Sequence, residues 1–417
     1  MKSYTPFEYC LINLGTKIHD SDKEDFELRL TQGLEAIQSG DIYNVEFINK
    51  VVHDTYQDDP DAKYELIAAI EGVKSVLQSK PVGTVIRLDM CSSGPTNIGL
   101  LYKDAAVLRA TGAIDSEKPG NLYNILKDNL NQKCNTNYPK KVVKKATVAY
   151  NYGSDQVVKE QFGEGFSANF SKVYEEQLPS CKDFRLKMLD AWDETAQEYY
   201  FLAIDSFTVW IPVICEGKET TIETAENGRK RSIKYTHRKM GTKLKGEDKT
   251  RGLGAHVGHA LDAYELREVN RMCAKSQAWA KEQLAKFKIV SEPNITDEKL
   301  LSLFNMFKLT NIATSRWFYL VEKMDTLEIT QELYNKLSNI CNYMPTKGFK
   351  ILNVHDEFGC SPNNVNDMRK AFAFICAEIY QGNYLSYISK TFKTNLVAKE
   401  YNQEVYDAIL NSNFILS

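Results

Sequence analysis

The stretch that most constrains this chain runs from residue 350 to residue 362, Lys-Ile-Leu-Asn-Val-His-Asp-Glu-Phe-Gly-Cys-Ser-Pro, an apolar run that ends in an acidic turn. Ile351, Leu352 and Val354 predict a short buried strand, and Phe358, Gly359 and Pro362 the way out of it. Asp356 then sits at a hairpin tip between His355 and Glu357, where a carboxylate can face a cleft and hold a hard cation through oxygen. A second apolar run, Val82, Val85, Ile86 and Leu88, delivers Asp89 and is followed by Met-Cys-Ser-Ser-Gly. Two strands that each end in an aspartate are what a two-metal site for phosphoryl transfer requires. Bare carboxylates brought close repel and share a proton, so such a pair makes sense chiefly when divalent ions neutralise it. The plainer alternative is that Asp89 and Asp356 each cap a separate turn.

With 417 residues and 43% apolar content, the chain can bury a large core, as one elongated unit of several subdomains or as two to three domains. It has no run of 18 apolar residues, and Met1 to Cys10 resembles neither a signal peptide nor a transit peptide, so a cytosolic protein without a membrane partner is expected. The nine cysteines are scattered and never spaced Cys-x-x-Cys, which argues against a zinc site or a disulfide framework. Net charge is -3, so a nucleic-acid partner would have to be held by local basic patches.

Residues 1–80 predict helices: Ser21 and Glu24 have capping-box spacing, Phe26, Leu30, Leu34 and Ile37 mark one buried face, and Leu66, Ile70, Val73 and Leu77 mark another after Pro60. The segment from Gly94 through Leu108 predicts one continuous helix. Its Lys103 is either within reach of a phosphate or, as is commoner, solvated. In Tyr138 to Ser154, four-residue spacing stacks Lys140, Lys144, Val148 and Tyr152 up one helical face, ending where Gly153 breaks the helix. Four lysines in six residues also fit a solvated surface, although such a surface has no need of a terminal Tyr-Gly.

More helix is predicted for 155–200, with Phe162, Phe166, Phe170 and Tyr174 at four-residue spacing. The period then changes: Phe207, Val209 and Ile211 alternate, and Asn227-Gly228 between two β-prone arms is a strong hairpin signal. The return arm carries Arg229, Lys230, Arg231, Lys234, His237, Arg238 and Lys239 around Tyr235. A ribbon of that charge fits a DNA groove, or is simply an exposed, solubilising hairpin. A long helix follows with His259 and Asp262 in its first turns. Next come a helical block near 290–347, a helix carrying Met368, Phe372, Ile375 and Ile379, and an apolar tail, Phe414 to Ser417.

Taken in order, Asp89-x4-Gly94, Lys140-x3-Lys144-x7-Tyr152-Gly153, Gly252-Leu-Gly-Ala-x3-His259-x2-Asp262-x4-Arg267 and His355-Asp356-x-Phe358-Gly359 resemble the phage-type single-subunit RNA polymerases. The likeness runs from about residue 7 to Phe414. It implies that Asp89 and Asp356 hold two Mg²⁺ ions, with the Met90 carbonyl as a further ligand. It implies that Lys144 contacts the nucleotide triphosphate, with Lys140 in the place of a family arginine. That exchange keeps the charge and loses bidentate geometry. Tyr152 and His259 would check the ribose 2′-hydroxyl and the sugar position, and His355 would support the primer end or the site geometry. The basic hairpin falls where the family has its promoter-specificity loop.

Family A DNA polymerases share Lys-x7-Tyr-Gly and His-Asp-Glu, but they have a glutamate where this chain has Gly94 and an aromatic where it has Val148. The family's upstream Asp-x-x-Gly-Arg strand and thumb are missing, so the chain resembles the large subunit of a split, heterodimeric middle-gene RNA polymerase of podoviruses.

The expectation is therefore an α/β chain of helix-dominated α+β type: a right-hand palm and fingers with a small antiparallel palm sheet and no N-terminal or thumb part. The segments would be 1–80 helical and palm-associated, 81–105 with the first catalytic aspartate, and 106–206 fingers including the nucleotide helix 138–154. They continue as 207–245 hairpin, 246–289 fingers and palm helix, 290–347 insertion, and 348–417 palm hairpin and tail. The implied activity is DNA-directed RNA synthesis from ribonucleoside triphosphates on a DNA template. The implied partners are a smaller polymerase subunit and an accessory single-stranded-DNA-binding protein, in the host cytoplasm if the chain is phage-encoded. The competing readings are a family A-like DNA polymerase and a non-catalytic nucleic-acid-binding homologue.

Overall fold

A computed structural model describes residues 1–21, 24–57, 59–114, 120–193, 196–212, 215–226, 229–240 and 252–417. Helices dominate, and the sheets are small. The one that matters for the site has three antiparallel strands, β1 (Ile86–Asp89), β9 (Glu357–Cys360) and β8 (Leu352–Val354), in that order. The remaining strands form two hairpins, β2 (Glu198–Leu202) with β3 (Thr208–Pro212) and β4 (Cys215–Glu226) with β5 (Arg229–Met240), and a parallel pair, β6 (Phe287–Ile289) with β7 (Leu327–Ile329).

The sheet buries Ile86, Leu88, Phe358 and Cys360 against the helices Pro6–His19 and Val365–Gln381, with the Phe358 and Phe372 rings 5.2 Å apart. Strand β9, rather than β8, supplies the apolar packing on this side. Leu352 and Val354 are exposed on the edge strand, contrary to the expectation of a buried run, and only Ile351 beside them is buried. Phe358 and Gly359 are not an exit but the central strand.

The first four α-helices, Pro6–His19, Phe26–Gln38, Val45–Tyr56 and Pro60–Leu77, share a smaller core built on Leu11, Leu14, Leu66, Ile70 and Val73. Asp25, and not Ser21, caps the second helix, its carboxylate accepting from the Glu27 N–H; the Ser21 hydroxyl instead faces Gln32. The buried face is Phe26, Arg29, Gly33 and Ala36, with Leu34 exposed. The cause is backbone contact: a Cβ on Gly15 would come 2.0 Å from the Arg29 carbonyl oxygen, and one on Gly33 would come 2.2 Å from that of Leu11. The two helices therefore touch along glycines rather than along the leucine stripe.

The predicted helix from Gly94 to Leu108 is two helices, Ser93–Tyr102 and Ala105–Thr111, broken where Lys103 turns left-handed (φ 55°) and Asp104 caps the second. The helical block also starts earlier than expected, since Gln277–Leu284 packs on Gln331–Tyr343 and on Arg316–Val321.

A buried ionic knot joins these parts. The Asp205 carboxylate, fully buried in the β2–β3 turn, accepts two hydrogen bonds from Arg267 (2.8 and 2.7 Å) and one from Arg271 (2.8 Å), and its main-chain carbonyl accepts from Arg316. Arg267 and Arg316 also place their guanidiniums 4.6 and 4.4 Å from the Phe207 ring centre. Arg267, the last residue of the third sequence motif, thus holds the fold together.

Candidate active site

The β8–β9 hairpin turns through two residues, His355 and Asp356, with His355 in the left-handed region (φ 56°). Two-residue hairpin loops demand a positive φ at the first position, a conformation histidine tolerates better than most side chains. Asp89 lies opposite Glu357 in the register, and the Met90 N–H donates to the Asp356 carbonyl at 3.1 Å. The main chains of the two aspartates, 267 positions apart in sequence, therefore meet at one end of one sheet. Asp89 is held on its other side as well: its N–H donates to the Ser417 carbonyl (3.0 Å), and its carbonyl accepts from the Ser417 N–H (3.1 Å). Asp89, Glu357 and Ser417 line a cleft against Asn13, Thr16 and Arg29, and Arg87 pairs with Glu357 at 2.6 Å.

The helix Lys140–Asn151 buries Val143, Ala146, Thr147, Tyr150 and Asn151, which leaves Lys144 and Val148 exposed and Lys140 partly so. The Lys144 ammonium stands 5.6 Å over the Tyr123 ring. Tyr152 is the C-cap, followed by Gly153 at φ 95°, a conformation that favours glycine. The helix end is anchored by Arg185, which donates to the Tyr150 carbonyl (3.1 Å), pairs with Asp155 (2.6 Å) and covers the Tyr150 ring.

Tyr152 sits between two glycines. A Cβ on Gly94 would come 3.0 Å from its hydroxyl and 2.7 Å from Asn151 Nδ2, and a Cβ on Gly258 would come 2.9 Å from its Cε1. The His259 ring stacks on it, with centroids 4.9 Å apart and planes 18° apart. His259 Nδ1 lies 3.8 Å from Asp262 Oδ2, while Asp262 Oδ1 accepts from Asn97 Nδ2 at 2.8 Å.

Charge couples this group to the hairpin tip. Burial, then the charges of Asp262 and Asp356, push the Tyr152 hydroxyl up. Burial also raises Asp262, the nearby Asp356 charge adding to it against the pull of His259. The Asp262 carboxylate in turn raises the His259 imidazole. Asp356, Asp262, His259 and Tyr152 thus form one electrostatic unit beside the sheet end where Asp89 lies.

Lys103 is not part of it. Its ammonium bonds the Gln381 carbonyl (3.4 Å) at the far end of the helix that begins beside Gly94. The main chain of Arg229, Lys230, Arg231, Lys234, Arg238 and Lys239 runs along β5. Their side chains and the Asn227-Gly228 turn lie outside the described residues.

Sequence reasoning did not single out Asn97, Glu265, Gly258, Asn151 or Tyr123. A signal existed for two of them: Asn97 follows Gly94, and Glu265 follows Asp262, by one helical turn.

Among the described residues no cluster of three or more His, Cys, Asp or Glu forms a ready-made metal cage. The donors on hand, two partly exposed carboxylates and the Met90 carbonyl, fit Mg²⁺, which is commonly bound through one or two carboxylates together with water and substrate phosphates. No protein-family model matches the chain, and a comparison with curated proteins finds no match.

Proposed function

We propose that this chain is the catalytic subunit of a DNA-directed RNA polymerase, adding ribonucleotides to an RNA 3′ end on a DNA template. The observation that carries the reading is the meeting of Asp89 and Asp356 at one sheet end, beside a Tyr152–His259 pair. The RNA 3′-hydroxyl attacks the α-phosphorus of the nucleotide, the bond to the β-phosphate oxygen breaks, and pyrophosphate leaves. Asp89, Asp356 and the Met90 carbonyl would hold two Mg²⁺ ions, which when bound lower the pKa of the attacking hydroxyl and neutralise the phosphates. Lys144, with Lys140 one turn earlier, offsets charge on the leaving group. Tyr152 and His259 meet the sugar, and His355 the primer end. At Gly94 no side chain is wedged against the Tyr152 hydroxyl, which favours a ribose over a deoxyribose. The β4–β5 ribbon serves the DNA, and a smaller subunit with an accessory single-stranded-DNA-binding protein completes the enzyme in the cytoplasm.

The test is nucleotide incorporation on a primed single-stranded template in Mg²⁺, by this chain alone and with a candidate smaller subunit. Ribonucleotide incorporation is expected. Preferred incorporation of deoxynucleotides would identify a family A-like DNA polymerase, and template binding without incorporation in either format would identify a non-catalytic homologue. Tyr152→Phe removes one donor to a hydroxyl, worth about 1–3 kcal/mol. The ribo-to-deoxy preference should fall by roughly tenfold in competition assays. An unchanged preference would remove Tyr152 from sugar recognition.

A further inference from the structure

Behind the Tyr152–His259 pair, two acceptors are buried without partners: Asn97 Oδ1 and Glu265 Oε1. Their residues are 1% and 2% exposed, and the Asn97 amide that donates to Asp262 is also within hydrogen-bonding reach of Glu265. Two orphan acceptors cannot satisfy each other, and burying either one without a donor is costly. A proton on Glu265 resolves both, because a carboxylic acid donates where a carboxylate only accepts. An ionised Glu265 could only share the Asn97 NH₂ with Asp262 and would leave Asn97 Oδ1 without a donor. Burial, with the charge of Asp262 next, pushes the Glu265 carboxyl well above the usual carboxylate range, in keeping with that proton.

We propose that Glu265 and Asn97 are positioning residues for the Tyr152–His259 pair: Glu265, as the neutral acid, donates to Asn97 Oδ1 and so fixes the amide whose Nδ2 holds Asp262 against His259. The chain runs from the core to the mouth of the site, Glu265 to Asn97 to Asp262 to His259 to the Tyr152 ring. In its consequence for sugar choice it rests on the polymerase reading. In its geometry it does not.

The experiment uses histidine-labelled full-length protein. The His259 resonances are assigned among the six histidines by their loss in His259→Gln, and the ring-current displacement from Tyr152 is calibrated with Tyr152→Leu. Glu265→Gln replaces the acid O–H with an amide N–H donor and should retain the displacement. Glu265→Leu and Asn97→Leu should lose most of it, and in incorporation assays their ribo-to-deoxy preference should fall about fivefold while Glu265→Gln stays within about twofold. Asn97→Asp, of nearly unchanged size, is a further variant should the leucine forms fail to fold, and it too should lose the displacement. An undisturbed His259 signal in the Asn97 variants, or an equal loss in Glu265→Gln and Glu265→Leu, would overturn the proposal. A wild type that incorporates no nucleotide would end the polymerase reading while the ring-current comparison still decides the relay.

Discussion

Asp356→Asn should abolish elongation on a primed template in Mg²⁺, by about 10³-fold or more, equivalent to roughly 4 kcal/mol of barrier. Asparagine is nearly the same size and keeps the two-residue turn, so the β8–β9 pairing and the thermal midpoint should hold. What is lost is the charge at the point where the main chains of Asp89 and Asp356 meet. Asp89→Asn should behave alike, and the double variant should be little worse than either single one, because groups that act as a unit are not additive. Elongation at near wild-type rates by either single variant would remove both residues from the chemistry.

Asp205→Ala should cost about 3 kcal/mol in stability, read from urea unfolding, because it leaves the partly buried Arg267 without its carboxylate and Arg271 with Glu268 alone. Burial alone would push the Asp205 carboxyl up, but the guanidiniums of Arg267 and Arg271 outweigh it and hold it below its ordinary value. A folded-state pKa below the unfolded one gives stability that is fully present above the unfolded value near 4 and is lost as pH falls through the folded one. The gap between wild type and Asp205→Ala should therefore stay constant from about pH 5 to 8 and narrow in stronger acid. A gap that widens in acid would contradict the ionic assignment. The knot fastens the β2–β3 turn to the helix that carries His259 and Asp262, so a rise in nucleotide KM should accompany the loss.

The acidic ends of β1 and of the hairpin were legible because a strand reads as a local run of apolar residues bounded by a turn. Their meeting was not readable from periodicity, since register across 267 positions is set by packing that no window contains. The β-prone arms on either side of Asn227-Gly228 do pair, as β4 and β5, whereas β2 and the parallel β6–β7 pair are too short or too mixed to stand out. The exposed Leu352 and Val354 show the limit of reading burial from hydropathy on an edge strand. The helix break at Lys103 escaped notice because neither proline nor glycine marks it. Asp104 takes over as a cap instead, its fully buried side chain fixed by Ser180 and Lys399. Tyr152 was visible from its spacing, but the glycine slot around it required three separate helix ends to be known together.

Asp89 is stitched along both edges, to Glu357 on one side and to Ser417 on the other, and Leu416 and Ile415 are buried beneath. Loss of residues 415–417 would remove both hydrogen bonds between Asp89 and Ser417 while touching neither the helix that ends at Tyr152 nor the one that carries His259. Such a clipped preparation should still melt cooperatively and retain template, yet turn over poorly. Intact-mass measurement on every batch would tell ageing of the stock from a true difference between variants.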